Sequence, residues 1–268
     1  MGLISLTPLD LGLAAVLILA LAGLSLWLSL GLERTLLIAA LRTTLQLWLV
    51  GLVLKVLFDN ANLGWIALGA GFMILVAGRE VMARQQRRFR GGWGYGIGTL
   101  ALAVPSLVII LLALLVLVRP EPWYQPQYAI PLFGMLAGNS MTGAAVGLDR
   151  LTQNAWQQRS AIEARLLLGQ RWDEAISDLR RESARAGMIP IINSMAAAGV
   201  VSLPGMMTGQ ILAGSPPTEA VKYQILVMFL IAANTGFAAL GGVWLGSRRL
   251  FDERERLRLD RLRSAERS

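Results

Sequence analysis

Seven stretches of this chain are apolar and long enough to cross a membrane, and the polar residues are gathered between them. The runs fall at residues 11–30, 35–58, 63–77, 96–118, 130–148, 188–212 and 223–246. A helix needs roughly 20 residues to cross a hydrocarbon core of about 30 Å. The third run is short and needs its flanks, and the sixth is interrupted at Pro204 and Gly205. No run alternates with period two, and an open sheet edge cannot be left in lipid. The pattern therefore predicts an all-α, polytopic integral membrane protein of about seven transmembrane helices, forming one domain over residues 1–268.

The longest polar stretch, 149–187, predicts an amphipathic helix pair broken at Gly169. The first helix covers 154–168. The second carries Trp172, Ala175, Ile176, Leu179, Ser183 and Ala186 on one face, by i, i+3, i+4 and i+7 spacing. Asp173 and Glu174 in its first turn, and Arg180, Arg181 and Arg185 near its end, complement the helix dipole. Such a pair either rests on lipid headgroups or on its own bundle, or docks a cytosolic partner. The tail 247–268 has dense mixed charge and predicts a solvated helix end that frays, with no chemistry of its own.

Charge sets the expected orientation. The net charge is +8, and 22 of the 25 basic residues fall in alternate connections: before and inside the second run, in 78–92, in 149–187 and in the tail. Only Lys55, Arg119 and Lys222 lie on the other side. Basic residues concentrate in cytoplasmic loops, so the N-terminus is expected outside and the C-terminus inside, in the cell inner (plasma) membrane. The same rule explains the basic balance without nucleic acid, for which the chain has no motif. The first run lacks a basic flank and is longer than a signal peptide's apolar region, so it is read as a retained span.

Composition narrows the chemistry. Hydrophobic residues make up 55% and charged residues 16%, with no Cys and no His. Disulfides, thiolate or imidazole metal sites and Cys or His catalysis are excluded. A P-loop needs Lys followed by Ser or Thr, whereas Lys55 precedes Val56 and Lys222 precedes Tyr223. ATP hydrolysis by that route must come from another chain. GGWGYGIG (91–98) follows no strand and predicts a flexible approach to the fourth span with close helix packing, not a dinucleotide site.

Polar residues inside spans are costly and often functional. Arg42, with Gln46 one turn on, and Lys55 sit near span ends and are expected to snorkel. Asn139, Ser140 and Thr142 lie among glycines in the fifth span. Asn193, Ser194, Asn234 and Thr235 could face the same interior. Their plain reading is interhelical hydrogen bonding, and their functional one is a set of neutral oxygens for a passing cation. Pro204 and Gly205 should free carbonyls at membrane depth. Met206 and Met207 beside them are soft ligands or simple apolar filler. No residue is assigned as a metal ligand.

Two resemblances sharpen this. Glu163-Ala164-Arg165-Leu166-Leu167-Leu168-Gly169 resembles the Glu-Ala-Ala-x-x-x-Gly loop through which ABC transporter permeases seat a coupling helix in an ATPase subunit, with Arg165 in place of the second Ala. IPLFGMLAGNSMTGAAVGLDRL (130–151), VVSLPGMMTGQILAGSPPTEAVKYQILVMF (200–229) and LRTTLQLWLVGLVLKVLF (41–58) resemble the FetB-type family of bacterial iron-export ABC permeases, to which plant aluminium-tolerance ABC membrane subunits belong. The resemblance implies a permease subunit without enzymatic activity, exporting a metal ion, with iron as the expected cargo. It implies a separate cytosolic ATPase using Mg-ATP, no cofactor in this chain, and a homodimer of permeases. The expected coupling residues are Glu163, Gly169, Trp172, Ile176 and Leu179, the last three as an anchor face. The expected pathway passes Asn139, Asn193, Pro204, Gly205, Met206 and Met207. A membrane-embedded lipid-phosphate enzyme and an ABC-like subunit that transmits force without transport are the rival readings.

Overall fold

The computed structural model describes residues 7–59 and 62–264. Ten helices account for most of them: α1 (Pro8–Trp27), α2 (Glu33–Asp59), α3 (Leu63–Ala83), α4 (Trp93–Leu112, continued by a π-helical turn at Ala113–Val118), α5 (Pro126–Gln157), α6 (Arg159–Leu167), α7 (Trp172–Ala175), α8 (Ser177–Ala197), α9 (Gly205–Leu212) and α10 (Pro217–Arg249). Among the described residues six helices, α1 to α5 and α10, are long and apolar enough to cross a membrane. The expected sixth span is instead a helix, a turn and a second helix, α8 and α9. The last four residues of the expected tail lie outside the described residues.

The long helix α5 is the centre, packed against α3, α4, α8 and α10. Small residues make this possible. Gly143 and Gly187 bring α5 and α8 into backbone contact, and a Cβ on Gly187 would lie 2.6 Å from the Gly143 carbonyl oxygen and 3.0 Å from the Ala239 Cβ. Because the first obstacle is backbone, it cannot swing aside. Gly187→Ala is expected to destabilise the protein by about 1–3 kcal/mol through overpacking. Thermal unfolding in detergent would read this as a fall of several degrees, and an unchanged midpoint would contradict the packing. Gly94 and Gly98 likewise seat α4 against Met82 and Val81 of α3, as the glycine run at 91–98 predicts.

Three distant connections meet at one end of the bundle. Strand β1 (Arg87–Phe89) pairs antiparallel with β2 (Leu262–Ser264). The Thr152 hydroxyl donates to the Arg87 carbonyl at 2.8 Å, and the Asp149 carboxylate accepts from the Gln86 N–H at 2.7 Å. Glu255 accepts from the Trp172 N–H at 3.1 Å. So the segments following α3, α5 and α10 share this end, and α8 with α9 must carry the chain back to the other. The helix–turn–helix thereby does the work of the expected sixth crossing. This end also holds the arginine clusters of 79–90, 150–185 and 248–263.

The tail departs from expectation. It does not fray: Leu250, Phe251, Leu259 and Leu262 are buried, and Phe251 bridges to Leu257. The apolar side chains hidden among its charges seal the end of the core, and the two-stranded sheet lies outside the apolar spans, where edges are tolerable. By contrast α1 and α2 bury only Ala22, Ser25 and Leu57 and leave most of their apolar side chains exposed, as suits helices whose solvent is lipid. Arg42 of α2 does not simply snorkel. It meets Glu80 of α3 at 3.0 Å.

Candidate transport pathway and coupling surface

The candidate coupling segment is built from the turn outward. Helix α6 ends in a Schellman motif: the Gln170 N–H reaches the Arg165 carbonyl at 3.2 Å and the Gly169 N–H reaches that of Leu166 at 3.0 Å. Gly169 takes a φ of +87°, which disfavours any side chain. That is why a glycine stands there. Arg165, where the resembled loop has Ala, braces the turn. It donates to the Ala175 carbonyl at 3.0 Å and pairs with Asp178 at 3.3 Å. Glu163 pairs with Arg159 one turn earlier. The tip of this braced turn carries Leu167 and Leu168, 89% and 84% exposed.

The anchor face expected from periodicity is turned inward. Trp172, Ile176 and Leu179 are all buried. Trp172 lies against Phe251, ring centroids 5.8 Å apart, with the guanidinium groups of Arg248 and Arg180 at 5.2 and 5.7 Å from its ring. The apolar face exists as the spacing predicts, but it is packed against the tail at Phe251. The second amphipathic helix is not separate either, since α8 runs from Ser177 to Ala197, into the bundle. Beside the tip, residues of α6 and of the tail line an open groove of about 640 Å³, among them Glu163, Leu166, Gly169, Arg254 and Leu257. The tail wall is held by charge. The backbone N–H of Arg256 foremost, then its guanidinium, brings the Asp252 carboxyl down to about 2. The Arg258 side chain does the same for Asp260, also to about 2.

Within the bundle, the polar residues divide into two sets. Asn234 is fully buried between α4, α5 and α10, with its Nδ2 at 2.6 Å from Ser140 Oγ, 3.0 Å from Ser106 Oγ and 3.1 Å from the Leu136 carbonyl. Among the described residues its Oδ1 and the Thr235 hydroxyl have no hydrogen-bond partner. This is the interhelical bonding of the plain reading. Asn139 and Asn193 are on the outside. Asn139 donates to the Met135 carbonyl at 2.8 Å, within its own helix, and both side chains are exposed. One residue of helix phase, about 100°, separates Asn139 from the buried Ser140.

The helix break lies earlier than Pro204. The chain leaves α8 after Ala197, turns through Gly199 at a φ of +82°, and restarts with Pro204 capping α9. The Pro204 carbonyl is not freed, for it accepts from the Thr208 N–H at 3.1 Å and the Thr208 hydroxyl at 3.2 Å. Proline suits this first position because its missing N–H is not needed there. Pro204 and Met207 line a groove of about 520 Å³ with Met195, Gln224 and Met228. Gly205 is exposed at the start of α9, and Met206 packs against the apolar core. The structure thus joins Pro204 to Met207 but does not bring Asn139 and Asn193 to that groove. Gln224, buried with its Oε1 without a partner among the described residues, also lines that groove. Its signal in the sequence was a lone amide in the first turns of an apolar helix. Among the described residues no group of three acidic side chains is arranged to hold a metal.

These features define a multi-pass helical membrane protein with a polar outer face on α5 and α8 and a braced apolar tip at its arginine-rich end. The chain belongs to the protein family UPF0014, described as uncharacterised, whose model matches residues 8–251. It is 38% identical over 256 residues to the Synechocystis sp. membrane protein slr1647, covering 96% of this chain and 98% of that one. It is 36% identical to the membrane protein STAR2 of Oryza sativa over 83% of this chain and 76% of that one. Escherichia coli FetB, named as a probable iron export permease, is 36% identical over 52% of this chain and 53% of its own length. No solved structure matches significantly.

Proposed function

We propose that the protein is the membrane-spanning permease subunit of an ABC-type metal exporter, working as a homodimer with a separate cytosolic ATPase that binds Mg-ATP. The observation that carries the ATPase partnership is the tip at Leu167 and Leu168. Two leucines exposed on a turn held by a Schellman motif and by Arg165 are a rigid apolar knob, and such knobs fill pockets on partners. The knob stands at the arginine-rich end, the cytoplasmic one by the positive-inside rule. The N-terminus is then outside and the C-terminus inside. The metal cargo, iron in particular, rests on the name of FetB and on the matching segments.

The path for the ion runs along the outer faces of α5 and α8, between two copies of the chain. Asn139 is exposed on a helix apolar enough to cross and Asn193 is exposed on α8 beside it, and lipid would offer them no hydrogen bonds. A second copy related by twofold symmetry would cover them and double the number of amide oxygens. Neutral oxygens bind weakly enough to release what they carry. Asn139→Leu combined with Asn193→Leu is expected to lower iron efflux from loaded cells at least several-fold, with membrane level and ATPase co-purification unchanged. Full efflux in that double variant would put the path elsewhere, and the groove at Met207 and Gln224 would be the next place to probe.

A further inference from the structure

At the arginine-rich end a second cavity, of about 530 Å³, lies where the tail folds back beneath the start of α4. Arg248, Arg249 and Arg261 line it together with Trp93, Leu100 and Leu245. Among the described residues none of these three arginines has an ion-pair partner. Of the tail acids, Asp252 pairs with Arg256 and Arg258, Asp260 with Arg258, and Glu255 accepts from the Trp172 N–H, and no acid lines the cavity. Arg249 lies over the Trp93 ring at 4.1 Å, and its Nε is buried without a hydrogen-bond partner. Arg261 is fixed in place, donating to the carbonyls of Arg249 at 2.8 Å and Phe251 at 3.0 Å. Gly92 caps α4 with no side chain, so the first N–H groups of that helix are also without a side-chain acceptor at the cavity wall.

Three cations lining one cavity, with no carboxylate among its lining residues, repel one another, and an unpaired buried guanidinium N–H has lost its hydration. An anion placed here would relieve both. The remaining wall says what kind. Trp93 and Leu100 are exposed, and they continue the apolar surface of α4 at the level where the span begins. Tryptophan favours that level because its ring suits the headgroup region. The site is therefore amphiphilic, cationic at its head and apolar along its side.

We propose that this cavity binds the phosphate group of an anionic membrane phospholipid, held by Arg248 and Arg249, with an acyl chain lying along Trp93 and Leu100. Basic pockets between helices at a membrane face take lipid headgroups in this way. Bound there, the lipid ties the tail to α4. The assignment depends only on the protein being membrane-spanning and not on the transport reading.

Purified protein in a neutral detergent should be titrated with phosphatidylglycerol, with phosphatidylcholine and with inorganic phosphate, reading bound lipid by native mass spectrometry and the unfolding midpoint in parallel. Phosphatidylglycerol is expected to bind at least about tenfold tighter than phosphatidylcholine, and Arg248→Gln with Arg249→Gln should remove that preference. Equal binding of the two lipids, or a preference that survives the double variant, would overturn the proposal. Stabilisation by inorganic phosphate equal to that by phosphatidylglycerol would assign the site to a soluble anion and overturn the lipid. Should the double variant not fold, a photoactivatable phosphatidylglycerol on the wild-type protein decides. Crosslinks within residues 92–100 and 245–261 are expected, and crosslinks confined to other helices would reject the site.

Discussion

Trp172→Ala is expected to destabilise the protein by about 3–5 kcal/mol, the range for removing a buried tryptophan from a packed core. The ring fills the junction between the start of the segment after Gly169 and the tail, touching Phe251 and lying under Arg248 and Arg180. Little can collapse into the space, because Phe251 is held by the Leu257 bridge and Ile176 is fully buried on the next turn. The tail should therefore loosen first. Limited proteolysis should cut at the arginines of 254–263 in the variant under conditions where the wild type is resistant, and the unfolding midpoint should fall. A variant that keeps the wild-type midpoint would show that Trp172 is not a keystone between tail and coupling segment.

Leu167→Asp combined with Leu168→Asp should behave in the opposite way, leaving the fold intact and removing the partner. Both side chains are nearly free of neighbours in this chain, so surface substitution should change its stability by no more than about 0.5 kcal/mol. As anchors in an ATPase pocket they would be worth roughly 2 kcal/mol each. Loss of both would weaken association at least about a hundredfold. The measurement is co-purification of the ATPase with the permease, alongside the permease's own unfolding midpoint. Undiminished co-purification would show that the tip is not the docking element. Because Trp172→Ala strikes the support and the leucine pair strikes the contact, comparing them separates folding from docking.

The spans and the arginine-rich side were legible in the sequence because both signals are local. An apolar run of about 20 residues needs no partner to be recognised, and arginine counts need only the connections. What escaped depends on distant segments. Phe251 and Leu262 are scattered among charges with no period, and β2 finds its partner at Arg87–Phe89, far back in the chain. A three-residue strand is too short to reveal alternation. The face at Trp172, Ile176 and Leu179 was recognisable as apolar, but a sequence does not say whether a tail or a partner covers it. Helix phase decided the amides in the same way: Asn139 and Asn234 look alike in the chain, yet one is exposed and the other sits in the middle of three helices. Pro204 was a true sign of interruption, displaced because the left-handed turn at Gly199 breaks the helix before proline restarts it.

The most direct test is transport by the purified parts. The chain and the cytosolic ATPase proposed as its partner should be reconstituted in vesicles with the ATPase outside, then supplied with ferrous iron, Mg-ATP and a reductant. Iron is expected to accumulate inside only when both proteins and hydrolysable ATP are present, and the Leu167→Asp, Leu168→Asp double variant should abolish accumulation. No ATP-dependent iron uptake with both proteins assembled and the ATPase active would contradict the account.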